Sequence, residues 1–318
     1  MSIAFDFEQP ITALEKKIAE LKELQEKGNV DFRSEIHNLE VKCEKLIKEI
    51  YANLSPWQIT KVARHPKRPL FPDYIQNIFT NFNEFHGDRN FGDDRALIGG
   101  FAKFEGSTVM LIGEQKGKNT KENLDRNFGM PKPEGYRKAL RLMKLAEKFN
   151  KPIITFIDTP GAYPGIEGEE RGQSEAVARN IYEMTGLKVP IVTVISGEGG
   201  SGGALAIGVG DKILMLSNSI YSVITPEGCA SILWNDSLKA EEASISLKIT
   251  AKELISLNII DRIIEEPFGG AHRDYDTVMS RVKEAISEEL KNLQKLSVKK
   301  LSEHRFNKFT KMGIFKEN

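Results

Sequence analysis

Residues 196–211, SGEGGSGGALAIGVGD, contain seven glycines and follow the apolar run PIVTVI at 190–195. A continuous apolar run of this length is typical of a strand buried on both faces of a parallel sheet. The ALAIG segment that follows predicts a helix. Side chains that act as acids, bases or nucleophiles are almost absent from this stretch. It therefore predicts a strand that ends in bare main chain at the start of a helix.

Alternating helix and strand patterns around this stretch predict an α/β protein with a largely parallel sheet. A β-hairpin comes first, formed by ALIGGFAKF at 96–104 and TVMLIGEQ at 108–115. The remaining predicted elements are helices at 134–149 and 169–186, strands at 152–158, 190–195, 212–216 and 220–224, and one further helix and strand within 251–264.

Both ends of the chain have helical patterns. Apolar residues three and four positions apart predict a helical hairpin over residues 1–54, with its turn at GNVD, 28–31. The hairpin either packs on its own domain or binds a partner. We expect a proline-punctuated, solvated linker at 55–72, a main domain at 73–296 and a C-terminal tail at 297–318, of which the last dozen or so residues are polar and mobile. A long amphipathic helix closes the main domain, with one apolar side formed by Val278, Val282, Ile286, Leu290 and Leu293.

Composition excludes several classes of protein. The 318 residues include 45 Lys and Arg and 45 Asp and Glu, so no net charge favours nucleic acid or an anionic membrane. Cys43 and Cys229 are the only cysteines, too few for a four-thiolate zinc site or a disulfide scaffold. The N-terminus lacks signal-peptide features, and the apolar runs are too short to span a bilayer. These features predict a cytoplasmic protein that binds no metal.

The glycine-rich loop matches two familiar motifs imperfectly. Gly197, Gly199 and Gly202 spell the GxGxxG pattern of dinucleotide-binding proteins, but no acidic residue ends the next strand, KILML, to bind a ribose. A P-loop is excluded because no lysine follows the glycines. Gly199, Ser201 and Gly203 spell GxSxG, which keeps open a serine hydrolase that uses Ser201.

A third interpretation uses the main chain itself. Glycines let a substrate oxygen approach the backbone, and the first turn of a helix offers unpaired N–H groups to an anion. A second loop, FIDTPGAYPG at 156–165, follows the preceding strand in the same way. Because the carboxyl ends of parallel strands meet at one edge of a sheet, donors from both loops are expected to converge on one oxygen. The sequence thus predicts an oxyanion-binding site.

Seven longer motifs carry a resemblance to a known family. The chain resembles the carboxyltransferase alpha subunits of bacterial multi-subunit acetyl-CoA carboxylases over nearly its whole length. The motifs are HGDRNFGDD (86–94), IGGFA (98–102), RNFGMPKPEGYRKALRLM (126–143), DTPGAYPG (158–165), EERGQSEAVARN (169–180), GEGGSGGALAIGVGD (197–211) and YSVITPEGCASILW (221–234).

This resemblance implies a crotonase-like ββα superhelix and an α2β2 heterotetramer with a homologous beta subunit. The beta subunit would bind acetyl-CoA and carry a zinc ribbon, while the alpha subunit would bind carboxybiotin on the biotin carboxyl carrier protein. Carboxyl transfer to acetyl-CoA gives malonyl-CoA, the first committed step of fatty acid synthesis. Biotin carboxylase would use ATP to charge the biotin.

The resemblance also assigns site residues. Gly202 and Gly203 would donate main-chain hydrogen bonds on the biotin side, and Gly161 and Ala162 are added as partner donors. Substrate contacts are further predicted for Gly199, Gly200, Lys116, Lys118, Lys121 and Arg126. The four basic residues would meet CoA phosphates or the carboxylate of carboxybiotin, or else belong to a solvated loop. The alternative function is an independent crotonase-fold serine hydrolase that uses Ser201.

Three other residues have weaker predicted roles. His86 and Asp88 are interpreted as a hydrogen-bonded structural pair at the entrance of the β-hairpin. Glu198 would steer the glycine loop or bind an arginine of a partner. Cys229 is expected to be a small buried residue.

Overall fold

The computed structural model describes residues 5–28 and 31–313. One sheet runs through the molecule, and its strands are β1 Thr80–Glu84, β2 Leu97–Phe104, β3 Ser107–Glu114, β4 Ile153–Thr159, β5 Ile191–Gly200, β6 Lys212–Leu216, β7 Ile220–Ser222 and β8 Arg262–Ile264. The strand order is β1-β2-β3-β4-β5-β6-β8, and β7 pairs with β5. Strands β1 to β3 pair antiparallel, and all later pairs are parallel.

Helices cover both faces of this sheet. They are α1 Gln9–Lys27, α2 Arg33–Ala52, α3 Pro56–Ala63, α4 Phe71–Ile78, α5 Thr120–Asp125, α6 Pro133–Lys148, α7 Ile166–Glu170, α8 Gln173–Gly186, α9 Ser201–Leu205, α10 Pro226–Trp234, α11 Ala240–Ser246, α12 Ala251–Ser256, α13 Tyr275–Leu293 and α14 Val298–Thr310. Short 3₁₀ turns lie at Asp6–Glu8, Asn127–Gly129 and Ser237–Lys239.

Side-chain alternation along the strands divides the core in two. Ile154 and Phe156 of β4 face a cluster that includes Phe71 of α4 and Val282 of α13. Ile153 and Ile157 face the opposite cluster, which α6, α8 and α9 complete. Because successive strand residues point to opposite faces, an uninterrupted apolar strand is needed between two layers of helices. The predicted α/β class and its βα units are confirmed.

The glycine-rich stretch differs from its prediction. Strand β5 does not stop at Ile195 but continues through Gly200, because residues 198–200 pair with 220–222 of β7. Helix α9 begins at Ser201, before the predicted ALAIG segment, and ends at Leu205. The predicted helix at 169–186 is also divided, since Gly172 adopts a φ of +80° between α7 and α8.

The N-terminal hairpin forms as two helices, α1 and α2. The middle of its predicted turn, residues 29–30, lies outside the described residues, as do residues 1–4. The predicted solvated linker at 55–72 is wrong as a description of local structure, because it contains α3 and buries Arg68 and Phe71. The division into domains stays a prediction.

The predicted C-terminal tail contains a helix, and the mobility expected of its last dozen or so residues stays a prediction. Helix α14 occupies most of the tail, and residues 314–318 are not described. Arg305 of α14 is buried and donates to Asp211 at 2.7 and 2.9 Å and to the carbonyl oxygens of Leu187 and Val189 at 2.7 and 2.9 Å. These groups precede and follow β5, so α14 is tied to the centre of the sheet.

We expect Arg305→Ala to lower the free energy of unfolding by about 3–5 kcal/mol, because it leaves the buried Asp211 carboxylate without its cation. Urea denaturation of the isolated chain measures this change. The control is Arg179→Ala, which removes an exposed i,i+4 pair with Glu175 and should cost less than about 0.5 kcal/mol. Equal losses in the two variants would contradict the assigned role of α14.

Candidate active site at the carboxyl edge of the sheet

Two main-chain segments meet where β4 and β5 end. A Cβ built on Gly203 would lie 2.5 Å from the carbonyl carbon of Gly161 and 2.6 Å from the amide nitrogen of Ala162. A Cβ on Gly200 would lie 2.1 Å from the carbonyl oxygen of Pro160. No side chain fits at these distances, so the sequence needs glycine at 200 and 203 for the loops to touch.

The start of α9 leaves amides without partners. The first N–H groups of a helix have no acceptor within it. Among the described residues, no main-chain or side-chain acceptor receives a hydrogen bond from the amides of Gly202, Gly203 or Ala162. The side chains around them are small, which leaves room for an anion.

The Gly161 amide behaves differently from its prediction as a free donor. It donates to the Thr159 hydroxyl at 3.0 Å, and that hydroxyl donates to the Gly161 carbonyl at 2.8 Å. Both bonds close a local turn in the TPG sequence. The Gly161 amide is therefore engaged within the fold, and Ala162 is the donor that this loop leaves available.

Ser201 occupies the turn between β5 and α9 with a φ of +54°. Left-handed backbone at a serine between strand and helix is a feature that a nucleophile elbow shares. However, no histidine in the described part of the chain hydrogen-bonds the Ser201 hydroxyl, and His272 instead stacks on His65 with ring centroids 3.8 Å apart. The geometry lacks the base that a serine nucleophile requires.

An apolar cavity of about 370 Å³ opens beside Ser201. Its walls come from α9, β7, α12 and the end of α14, with lining residues that include Leu205, Tyr221, Leu254 and Phe309. Gly202, Gly203 and Ala162 do not line this cavity, and Ser201 is the residue that connects it to the contact between the two loops.

Buried ion pairs brace the loops from the opposite face of the sheet. Lys116 Nζ lies 2.7 Å from Asp158 Oδ1 and 3.3 Å from Glu198 Oε2. Arg64, which follows α3 directly, lies 2.6 Å from Glu198 and 2.6 Å from Glu227 of α10. Burial opposes ionisation of Glu198, but the charges of Lys116 and Arg64 prevail and hold the pKa of Glu198 below its usual value. This network fixes the ends of β4 and β5 against α3 and α10.

Arg68 contacts β5 at Ser196, two residues before Glu198. Its Nε donates to the Ser196 carbonyl at 2.6 Å, and its guanidinium pairs with Glu266 at 2.5 Å. The sequence interpretation assigned Arg64 and Arg68 to a solvated connector and so missed both. Of the two roles predicted for Glu198, steering the glycine loop or binding an arginine of a partner, the second differs from the structure, because Glu198 pairs with Arg64 of the same chain.

The four basic residues predicted at 116–133 do not form one cluster. Lys116 lies within the buried network, and Lys118 pairs with Asp73 at 2.6 Å. Arg126 donates to the Arg95 carbonyl at 2.8 Å. Lys121 lies exposed on α5. Gly199 and Gly200, also predicted as substrate contacts, are buried in β5.

The predicted His86–Asp88 pair does not form. His86 Nδ1 lies 2.9 Å from Asp93 Oδ2, while Asp88 accepts from Arg137 at 2.8 Å and from the main chain of the 88–92 turn. Cys229 is buried, as predicted.

Within residues 5–28 and 31–313, no group of three or more His, Cys, Asp or Glu side chains could hold a metal ion. No helix within these ranges combines the length and apolar character that a bilayer crossing requires.

Comparison of the backbone with solved structures defines the class of protein. The chain is similar to transcarboxylase 12S with a TM-score of 0.58 and 20% identity, over 70% of this chain and 41% of the other. It is similar to a chain of a Pseudomonas malonate decarboxylase hetero-tetramer with a TM-score of 0.56 and 15% identity, over 69% and 86% of the two chains. These likenesses show a mixed α/β fold of the crotonase-like type.

Sequence comparison gives the particular family. The model of the acetyl co-enzyme A carboxylase carboxyltransferase-like family matches residues 4–313. The acetyl-coenzyme A carboxylase carboxyl transferase subunit alpha of Nitrosospira multiformis is 59% identical over 100% of this chain and 99% of its own length. That of Geobacter metallireducens is 58% identical over 98% of each. The chain therefore belongs to the family of acetyl-CoA carboxylase carboxyltransferase alpha subunits.

We expect Gly203→Ala to lower carboxyl transfer at least tenfold and to lower the Tm, because its Cβ would force the Gly161–Ala162 backbone away from α9. Gly202→Ala is the matched control, since its Cβ would meet only the end of the Val177 side chain at 3.3 Å. Turnover of the assembled enzyme and thermal unfolding measure the two effects. If both variants behave alike, close contact between the loops is not what the site requires.

Proposed function

We propose that this chain provides the biotin side of an acetyl-CoA carboxyltransferase, with the main-chain amides of Gly202, Gly203 and Ala162 as the anion-binding donors. The observation that carries the proposal is the set of three unpaired amides where α9 meets the β4 loop, beside an apolar cavity. An apolar cavity of this kind suits the thioether face of biotin, and the unpaired amides beyond Ser201 suit the ureido group.

In the proposed reaction the carboxyl group passes from the ureido nitrogen of biotin to the methyl carbon of acetyl-CoA, and the proton from that carbon returns to the same nitrogen, which yields malonyl-CoA. The chain's part is to stabilise the negative charge on the ureido oxygen. One well-placed donor of this kind is worth about 3–4 kcal/mol in a transition state. No titrating side chain of this subunit is needed for that step.

The buried ion pairs support the same proposal electrostatically. Asp158 and Glu198 lie at the ends of the two strands that carry the donors, and an unpaired carboxylate there would repel an anion. Lys116 and Arg64 compensate these charges. We infer that Lys116 has this positioning role, and that Lys121 remains the exposed candidate for a phosphate of CoA.

We further propose the family's assembly for this chain. Its partners would be the carboxyltransferase beta subunit in an α2β2 complex, the biotin carboxyl carrier protein with its carboxybiotin, and biotin carboxylase, which uses ATP. The enolate-binding half of the site and the zinc would belong to the beta subunit. The cytoplasmic location and a role in fatty acid synthesis stay predictions.

An exposed apolar surface supports a partner chain next to the site. Val223, Ile232, Leu233 and Leu238, on and around α10, are between 61% and 91% exposed. Several exposed apolar side chains grouped on one short segment mark an interaction surface more often than free surface does. Because Glu227 of α10 belongs to the buried network, a partner on this surface would lie beside the anion site.

Reconstitution tests the proposed function directly. The chain is assayed alone and with the zinc-bearing beta subunit, in the reverse direction, with malonyl-CoA and a soluble biotin derivative. We expect carboxyl transfer only when both chains are present. Activity of the isolated chain, or none with the beta subunit, would contradict the proposal.

Ser201→Ala separates main-chain catalysis from a serine nucleophile. We expect the variant to keep carboxyl transfer within about fivefold of wild type, because the proposed donors are amides. A true serine nucleophile would cost several orders of magnitude. The measurement is steady-state kcat of the reconstituted enzyme, and a loss above about a thousandfold would favour the hydrolase alternative.

Ile232→Asp tests the apolar surface. We expect the dissociation constant for the beta subunit to rise at least tenfold, because the substitution places a charge within the proposed contact. Analytical ultracentrifugation measures the association, and circular dichroism checks folding. Val298→Asp, at an exposed apolar position on α14, is the control and should leave the association unchanged. Equal affinities for the two variants would place the interface elsewhere.

A further inference from the structure

Glu114 is a buried carboxyl group that the proposed site does not use. It is the last residue of β3, and only 1% of its surface is exposed. Neither carboxyl oxygen has a hydrogen-bond partner among the described residues. The main-chain amide of Asp158 comes near the carboxyl but does not reach hydrogen-bonding geometry. An ionised carboxylate in such surroundings is very costly.

The direction of the side chain follows from strand alternation. Gly113 faces Phe71 on one side of the sheet, so Glu114 points to the other side together with Met110 and Ile112. That side is the cluster completed by Tyr136 of α6 and by Ala204 and Ile207 in and after α9. Glu114 therefore lies under α6, one strand away from β4, whose end carries the Asp158 carboxylate and the loop with the proposed donor Ala162.

The charged and titratable neighbours of Glu114 oppose its ionisation. Burial is the largest cause that raises the pKa of Glu114, the negative charge of Asp158 on β4 adds to it, and Lys116 opposes them only weakly. Tyr136 of α6 and Tyr221 of β7 are the other titratable groups that face it, and burial followed by the Glu114 charge raises the pKa of each phenol. Lys116 is already paired with Asp158 and Glu198.

We propose that Glu114 is a neutral carboxylic acid in the folded protein and a positioning residue that keeps a second negative charge away from Asp158 and the end of β4. A carboxylate there would add its charge to that of Asp158, on the strand whose loop carries the proposed donor Ala162, and would repel a bound anion. The unpartnered hydroxyl of Tyr136 and the unpartnered Oδ1 of Asn180 share this region. Buried polar groups of this kind are usually satisfied by ordered water, which would solvate the neutral acid.

The stability of the chain against pH tests the protonation state without any assay of activity. Glu114 has a raised pKa when folded and an ordinary pKa, about 4.3, when unfolded. Its contribution to stability is therefore complete below about pH 4.3 and is lost as the pH rises toward the folded pKa. Glu114→Gln keeps the shape of the neutral acid and removes the titration.

Urea denaturation of the isolated chain from pH 5 to pH 8 compares the wild type with Glu114→Gln. We expect the unfolding constant of the wild type to rise relative to that of the variant by up to about tenfold per pH unit. The control is Glu134→Gln at a buried glutamate that pairs with Arg171 at 3.0 Å, where the substitution should destabilise instead. A ratio that does not change with pH would overturn the neutral assignment.

The positioning role rests on the proposed function, and the pH dependence of kcat tests it separately from stability. In the reconstituted enzyme we expect kcat of the wild type to fall as rising pH ionises Glu114, and Glu114→Gln to move that fall to higher pH while KM for the biotin derivative changes less than twofold. Identical kcat–pH profiles would overturn the positioning role. If the wild-type complex is inactive, the proposed function fails, and the stability series still decides whether Glu114 is neutral.

Discussion

The site depends on direct backbone contact between the loop that follows β4 and the segment where β5 ends and α9 begins. Gly200 and Gly203 lie so close to Pro160, Gly161 and Ala162 that any side chain would separate the two loops. The contact brings the first turn of α9 beside a second loop and leaves unpaired amides from both at one edge of the sheet. Anion binding follows from backbone geometry rather than from any single reactive side chain.

Electrostatics on the two faces of the sheet then protects this arrangement. On the α3 side, Arg64 and Lys116 neutralise Asp158 and Glu198 through short ion pairs. On the other face, Glu114 has no hydrogen-bond partner among the described residues, Lys116 compensates its charge only weakly, and burial raises its pKa. The acidic groups around the proposed anion site therefore add no uncompensated negative charge to it. Asp158 and Glu198 are paired with cations on one face of the sheet, and Glu114 is protonated on the other.

The sequence predicted what depends on local pattern and missed what depends on distant contacts. The βα units, the β-hairpin and the approach of the two loops follow from apolar runs and glycine positions, and the resemblance supplied the family. Arg64 and Glu198 are 134 positions apart, so nothing near HPKRP indicates their pairing. Arg305 and Asp211 are likewise 94 positions apart. The hydrogen bond from the Gly161 amide to the Thr159 hydroxyl is local, so the TPG sequence could have predicted it.

The central claim concerns where the ureido oxygen of biotin binds. A crystal structure of the alpha and beta chains with a soluble biotin derivative measures the distances from that oxygen to the amide nitrogens of Gly202, Gly203 and Ala162. The account predicts at least two of them at about 2.7–3.1 Å. An ordered biotin whose ureido oxygen contacts none of these amides, or contacts only side chains, would contradict it.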